Sequence, residues 1–160
     1  MIKGELTDVD KVEGVHTLVE VLELNVGDLD TIVLKPYATK TLDLKQEQFD
    51  HSVSLEKLEL SYYDTRIYVK LENNSDAVYK VYATDVSINV NGKTYKEHYA
   101  MYGEYPAFKP KLEAHSSTEG VIRFDVLDVK AGDVIEVIIE KPYTEAYDVQ
   151  FKEYRFEIEL

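Results

Sequence analysis

From Ser52 to Leu160 apolar and polar residues alternate with a period of two over one segment after another, the mark of strands that bury a single face. Val53 and Leu55 share one parity and Leu58, Leu60 and Tyr62 the other, which predicts a bulge or a change of buried face near Glu56-Lys57. A turn at Tyr63-Asp64 follows, and then Ile67, Val69 and Leu71 point one way while Arg66, Tyr68 and Lys70 point the other. That strand ends at Asn73-Asn74-Ser75-Asp76, whose short polar side chains bond their own backbone and favour a tight loop. Val86, Ile88 and Val90 lead into Asn91-Gly92, the pair best suited to a two-residue type I′ hairpin, so Val90 is expected opposite Lys93 and Ile88 opposite Tyr95. Three more strands are predicted from Ile122-x-Phe124-x-Val126, from Ile135-x-Val137-x-Ile139 and from Tyr154-x-Phe156-x-Ile158-x-Leu160.

Seven to nine strands without a convincing amphipathic helix predict an all-β fold, an antiparallel sandwich. Glu97 to Leu112 breaks the alternation with four aromatic residues and two prolines and is expected to be a long crossover loop, with room for a short helical turn. Upstream, Val15 to Leu24 fits either period, and its valine content favours a strand; Leu29 to Lys35 offers a second short β run before Pro36.

Ser54-Leu-Glu-Lys-Leu-Glu-Leu60, Thr65-Arg-Ile-Tyr-Val-Lys-Leu-Glu-Asn-Asn-Ser-Asp76, the Asn91-Gly92-Lys93-Thr94-Tyr95 hairpin and Ser117-Thr-Glu-Gly-Val-Ile-Arg-Phe-Asp-Val126 together resemble an uncharacterised family of immunoglobulin-like β-sandwich domains found in Gram-positive surface lipoproteins and envelope proteins. The resemblance covers about residues 49–160 and rests on strands and turns. It implies an immunoglobulin-like architecture and an extracellular or envelope location, and it carries no catalytic residue. The family's usual Pro-Gly turn before the Ser/Thr-rich strand is replaced here by Glu113-Ala114-His115. Residues 1–48 lie outside the match and are expected to form an acidic N-terminal extension or an added β element.

Composition narrows the chemistry. The 160 residues carry 18 basic and 31 acidic side chains, a formal charge of −13, which disfavours nucleic acid as a partner. Two lysines against eight acids give residues 1–30 a net charge of −6. The absence of cysteine excludes disulfides, thiolate metal sites and cysteine nucleophiles. No apolar run approaches the ~18 residues of a membrane span, and the first residues lack the apolar stretch of a signal peptide, so a membrane tether is expected outside this chain if one exists.

Asp8, Asp10 and Glu13 lie close enough to invite Ca²⁺, but the glycine and the final glutamate of a calcium loop are missing, and a solvated acidic leader is the better reading. His16, His51, His98 and His115 show no metal-ligand spacing. His115 beside Ser116 and Ser117 invites a nucleophile and base, yet sequence neighbours rarely meet in triad geometry, and loop capping is expected instead. No cofactor is expected, and an enzyme is disfavoured. The unusual residue is tyrosine, thirteen copies with no tryptophan. Tyr99, Tyr102 and Tyr105, with Phe108, are the candidate binding residues, since a loop rich in tyrosine offers rigid contact area with polar tips to an extracellular protein, peptide or glycan. The competing reading is that these rings seal the end of the sandwich. The expected function is thus a non-enzymatic surface interaction module, or alternatively a structural or sensory ectodomain of a larger membrane-anchored protein.

Overall fold

The computed structural model describes residues 35–98 and 105–160. The β runs expected between Val15 and Lys35 and the acidic cluster Asp8–Glu13 fall outside these, apart from Lys35 itself. Eight strands of four or more residues form two antiparallel sheets. The first runs in the order β1 (Ala38–Gln48), β2 (His51–Leu60), β3 (Thr65–Asn73) and β8 (Ser116–Phe124). The second runs β11 (Tyr154–Glu159), β9 (Val134–Ile139), β5 (Val86–Val90) and β6 (Lys93–Lys96). Three two-residue strands, β10 (Tyr143–Thr144), β4 (Tyr79–Lys80) and β7 (Lys111–Leu112), make a small third sheet. It sits where β2 begins and β3 ends: Tyr79 packs on His51, ring centroids 4.4 Å apart, and the Asn73 side chain donates to the backbone of Leu112 and Glu113.

The period-two code accounts for the core. Val53, Leu55, Leu58, Ile67, Val69 and Leu71 of the first sheet share one buried cluster with Val86, Ile88, Ile135, Val137, Ile139, Tyr154, Phe156 and Ile158 of the second. This is the all-β sandwich that the alternation predicts. The change of parity in β2 is a bulge: Leu55 opposes Val69 and Lys57 opposes Tyr68, leaving Glu56 without a partner on β3. Asn91 and Gly92 both have positive φ, 51° and 76°, and pair Val90 with Lys93 and Ile88 with Tyr95 as a type I′ turn requires. Three expected strand residues lie beyond their strands instead: Tyr62 and Val126 follow the ends of β2 and β8 and are exposed, and Leu160 follows the end of β11, half-buried against the core. Part of the N-terminal β extension is β1, which pairs with β2 along its length and adds Leu42 to the core.

The two open sides of the sandwich are closed differently. On one, side chains of β1 reach the outer edge of β11. Gln48 exchanges two hydrogen bonds with the Lys152 backbone at 2.9 and 2.8 Å, Gln46 does the same with Arg155, and Lys40 donates to the Glu159 carbonyl. A glutamine amide offers the same donor and acceptor as a peptide group, so it satisfies an edge strand without extending the sheet. On the other side the main chain itself crosses. Beyond β6, Glu97 bridges Phe124 and the His98 N–H donates to the Arg123 carbonyl. After residues 99–104 the chain returns along the same edge of β8, where Ala107 bridges Val121 in the parallel sense. Among the described residues of the expected crossover loop, 97–98 and 105–112, there is no helical turn.

Candidate functional site

Tyr99 and Tyr102 lie outside the described residues. Tyr105 and Phe108 are both half-buried, Tyr105 against the outer face of the first sheet and Phe108 against the hydrophobic core at the edge of β8. Tyr105 lies over two arginines, its ring centroid 4.9 Å from the Arg66 guanidinium carbon and 5.1 Å from that of Arg123, and its hydroxyl accepts a hydrogen bond from Arg66. Phe108 passes close to β8 at Gly120. A Cβ on Gly120 would stand 2.5 Å from the Phe108 Cα and 2.9 Å from the Ala107 carbonyl oxygen, so only glycine admits this approach.

Beneath Tyr105 the outward positions of three strands form a charged row, since Glu59, Arg66 and Arg123 are directly opposite one another. Alternation assigned Arg66 to the solvent face of β3. In the structure it is 1% exposed, because the returning loop covers it. Its Nε lies 3.4 Å from both Glu59 and Asp64, while Arg123 grips Asp64 through Nε at 2.7 Å and Nη2 at 2.5 Å. Ser61 donates to Asp64 at 2.7 Å, and Lys57 pairs with Glu59 at 2.7 Å. Charges this deep are tolerable only when paired and hydrogen-bonded. Burial also pushes the Tyr105 phenol up from its ordinary pKa.

A second aromatic cluster was not signalled by the sequence. Tyr82, Tyr143 and Tyr147 form a stack: Tyr82 and Tyr143 centroids are 6.3 Å apart with planes at 25°, and Tyr143 and Tyr147 are 5.4 Å apart with planes at 9°. The Tyr82 and Tyr143 hydroxyls are 3.3 Å apart, which raises the Tyr143 pKa. Pairing of β4 with β10 brings the stack together across 61 positions of sequence. Tyr147 closes a turn by donating its N–H to the Thr144 carbonyl at 3.0 Å, and its φ of 52° is a left-handed conformation that a bulky residue rarely adopts. The residue is 76% exposed. Lys80 lies 5.8 Å from the Tyr143 ring and pairs with Glu145 at 2.7 Å; Thr144 donates to Asp148 at 2.6 Å, and both carboxyls are held below their ordinary range by these hydrogen bonds. No single segment encodes the stack; the only local trace is Tyr143-x₃-Tyr147 in a Pro-led turn.

The other motifs resolve locally. His115 takes the left-handed conformation, φ 52°, and meets Asp76 at 2.8 Å, while Ser116 donates to the Glu113 carbonyl at 2.6 Å. That is loop capping. Asn73 fits a glycosylation pattern with Ser75 but is fully buried, with its amide donating to Ala77 and Glu113. Among the described residues no group of three or more His, Cys, Asp or Glu is arranged to hold a metal ion. Every described carboxyl with a shifted pKa is shifted downward; Lys70, Ser52 and Lys45 bring Glu72 to about 2. A 310 Å³ cleft beside the Asn91-Gly92 turn is lined in part by Tyr95, Asp128 and Asp133, whose polar atoms already bond to one another's neighbourhood: Asp133 accepts from Asn91 and from the Lys130 N–H, and Tyr95 accepts from the Asp128 N–H.

Among the described residues no helix is long and apolar enough to cross a membrane. No family model matches the chain, and no curated protein matches it significantly. Two solved structures share its fold. One is a candidate lipoprotein, ycdA, of Bacillus subtilis, with a TM-score of 0.56 and 15% identity over 73% of this chain; the chain spans 38% of the length of that protein. The other is a functionally unknown protein of Listeria monocytogenes, with a TM-score of 0.54 and 10% identity over 79% of this chain and 86% of its own.

Proposed function

We propose that this protein is a non-enzymatic interaction module of the cell envelope, a rigid sandwich that presents an aromatic surface to an extracellular partner. The observation that carries the reading is the Tyr82–Tyr143–Tyr147 stack, in which Tyr82 and Tyr147 are exposed on either side of the half-buried Tyr143 and Tyr147 is held in a costly backbone conformation. Exposed tyrosines contribute large contact area at low entropy cost and are favoured at binding surfaces. The envelope location draws on the lipoprotein among its fold neighbours, and both neighbours share the sandwich fold with this chain.

The test is retention of the purified protein on isolated bacterial envelopes. Replacing Tyr82, Tyr143 and Tyr147 together by serine should abolish retention while the melting temperature stays close to that of the parent. Equal retention by both proteins would sink the reading. A second reading, a structural or sensory unit of a larger envelope protein, draws on the 38% of the Bacillus chain that this fold occupies. Under that reading the triple substitution changes no binding.

A further inference from the structure

The stack has a chemical preference that can be read from within the same molecule. Tyr105 shows how this chain seats a guanidinium: the two arginines lie 4.9 and 5.1 Å from the ring centroid, and Asp64 pairs with both. A tyrosine face is electron-rich, and arginine adds planar stacking to the cation–π attraction, so ring and carboxylate together select a guanidinium over a neutral group. Tyr147 and its sequence neighbour Asp148 supply the same two residue types, both exposed, at the surface. Tyr147 ends the stack with 76% of its area in solvent, and Asp148 follows it, one oxygen engaged by Thr144 at 2.6 Å. Glu145 lies in the same turn, and the whole chain carries −13. Such a charge draws a basic partner from a distance and repels an anionic polymer.

Resting on the binding role above, we infer that the Tyr147–Asp148 corner takes an arginine side chain from a basic polypeptide, whose guanidinium extends the tyrosine stack by one layer. Tyr82 and Tyr143 act behind it as the support that fixes the ring plane. Lys80 already lies near the Tyr143 ring and pairs with Glu145, which leaves the outer face of Tyr147 as the place for an incoming cation.

The experiment measures binding of a short fluorescent arginine-rich peptide at an ionic strength of about 0.15 M, where unspecific attraction between exposed charges is largely screened. Its citrulline counterpart, with the same shape and no charge, and a neutral oligosaccharide serve as parallel probes. The parent protein and Tyr147→Phe should bind the arginine peptide alike, Tyr147→Ala about tenfold more weakly, and the citrulline peptide should not bind. Equal binding by Tyr147→Ala, or by the citrulline peptide, overturns the inference. If the oligosaccharide binds in a Tyr147-dependent way and the peptide does not, the arginine assignment falls while the interaction role stands. If envelope retention is also indifferent to the stack, both fall together.

Discussion

Two tyrosine clusters in this protein use the same side chain to opposite ends. Tyr105 has its ring occupied by the chain's own arginines, so its capacity for cations is spent internally and its removal would expose a buried charge row. Tyr147 stacks one face of its ring on Tyr143 and is 76% exposed, and its backbone N–H closes the turn on Thr144. What separates a packing tyrosine from a binding tyrosine is therefore the occupancy of the ring faces rather than the richness of a segment in tyrosine. The loop from Glu97 to Leu112 is the richer segment, yet its described rings turn inward onto the sheet.

The charge row beneath Tyr105 offers the strongest way to break this contrast. Arg66→Ala removes the cation that lies between Glu59 and Asp64 at 3.4 Å from each and leaves two buried carboxylates with Lys57 and Arg123 as their remaining cations. Deleting one member of a buried ion pair costs about 3–5 kcal/mol, and urea unfolding of the variant should show a loss of that size. A loss under about 1 kcal/mol, the worth of a surface ion pair, would mean that the row is solvated and that Tyr105 covers nothing.

Next in size is Gly120→Ala. The added carbon meets backbone atoms of Phe108 and Ala107 rather than a flexible side-chain tip, so the segment that carries Tyr105 must move away from β8. Overpacking of this kind costs about 1–3 kcal/mol. It should also speed hydrogen exchange at the Val121 amide, whose bond to the Pro106 carbonyl at 2.9 Å depends on that close pass. Unchanged exchange at Val121 would show that the loop is not anchored there.

How much of this was legible before the structure depends on distance along the chain. The Asn91-Gly92 hairpin and the bulge at Glu56 were legible because each is fixed by a few adjacent residues, through positive φ in one case and a switch of parity in the other. The sandwich followed from many such local patterns. Burial of Arg66 was not legible, because alternation assigns a face and says nothing of what covers it; the covering Tyr105 comes from 39 positions away. The stack was hidden for the same reason, since Tyr82 and Tyr143 meet only through the pairing of β4 with β10, two-residue strands too short to leave a period.

Acidity sharpens the contrast from the other end of the sandwich. His51 is buried at the start of β2 between Tyr79 and Phe151, with its Nε2 3.1 Å from the Ser75 hydroxyl. Burial pushes its pKa below the ordinary 6.5, and the nearby Asp50 and Asp148 offset this only in part. A proton then binds the unfolded chain more readily than the folded one. Stability attributable to His51 is complete above pH 6.5 and falls as the pH drops from there toward the folded-state pKa. The depressed carboxyls titrate lower, so the window just below 6.5 belongs to histidine. Melting temperatures should decline across it in the parent and decline less in His51→Gln; parallel curves would remove His51 as the cause.

The smallest effect on stability is expected at Tyr147, and its smallness is informative. Removing an exposed ring away from caps, cavities and buried charges shifts stability within about 0.5 kcal/mol. The backbone adds a second consideration, since Tyr147 has a φ of 52° and glycine adopts that conformation without the Cβ clash. Tyr147→Gly should therefore melt at or slightly above the temperature of the parent, because relief of strain offsets the greater freedom of glycine in the unfolded chain. Tyr147→Ala keeps the strain and should melt at or slightly below it. A residue whose loss leaves the fold intact or improves it, while partner binding weakens, is one retained for contact rather than for packing. A drop of more than about 1 kcal/mol in Tyr147→Gly would show instead that the stack holds β10 against β4, and the two tyrosine clusters would then be two versions of the same structural brace.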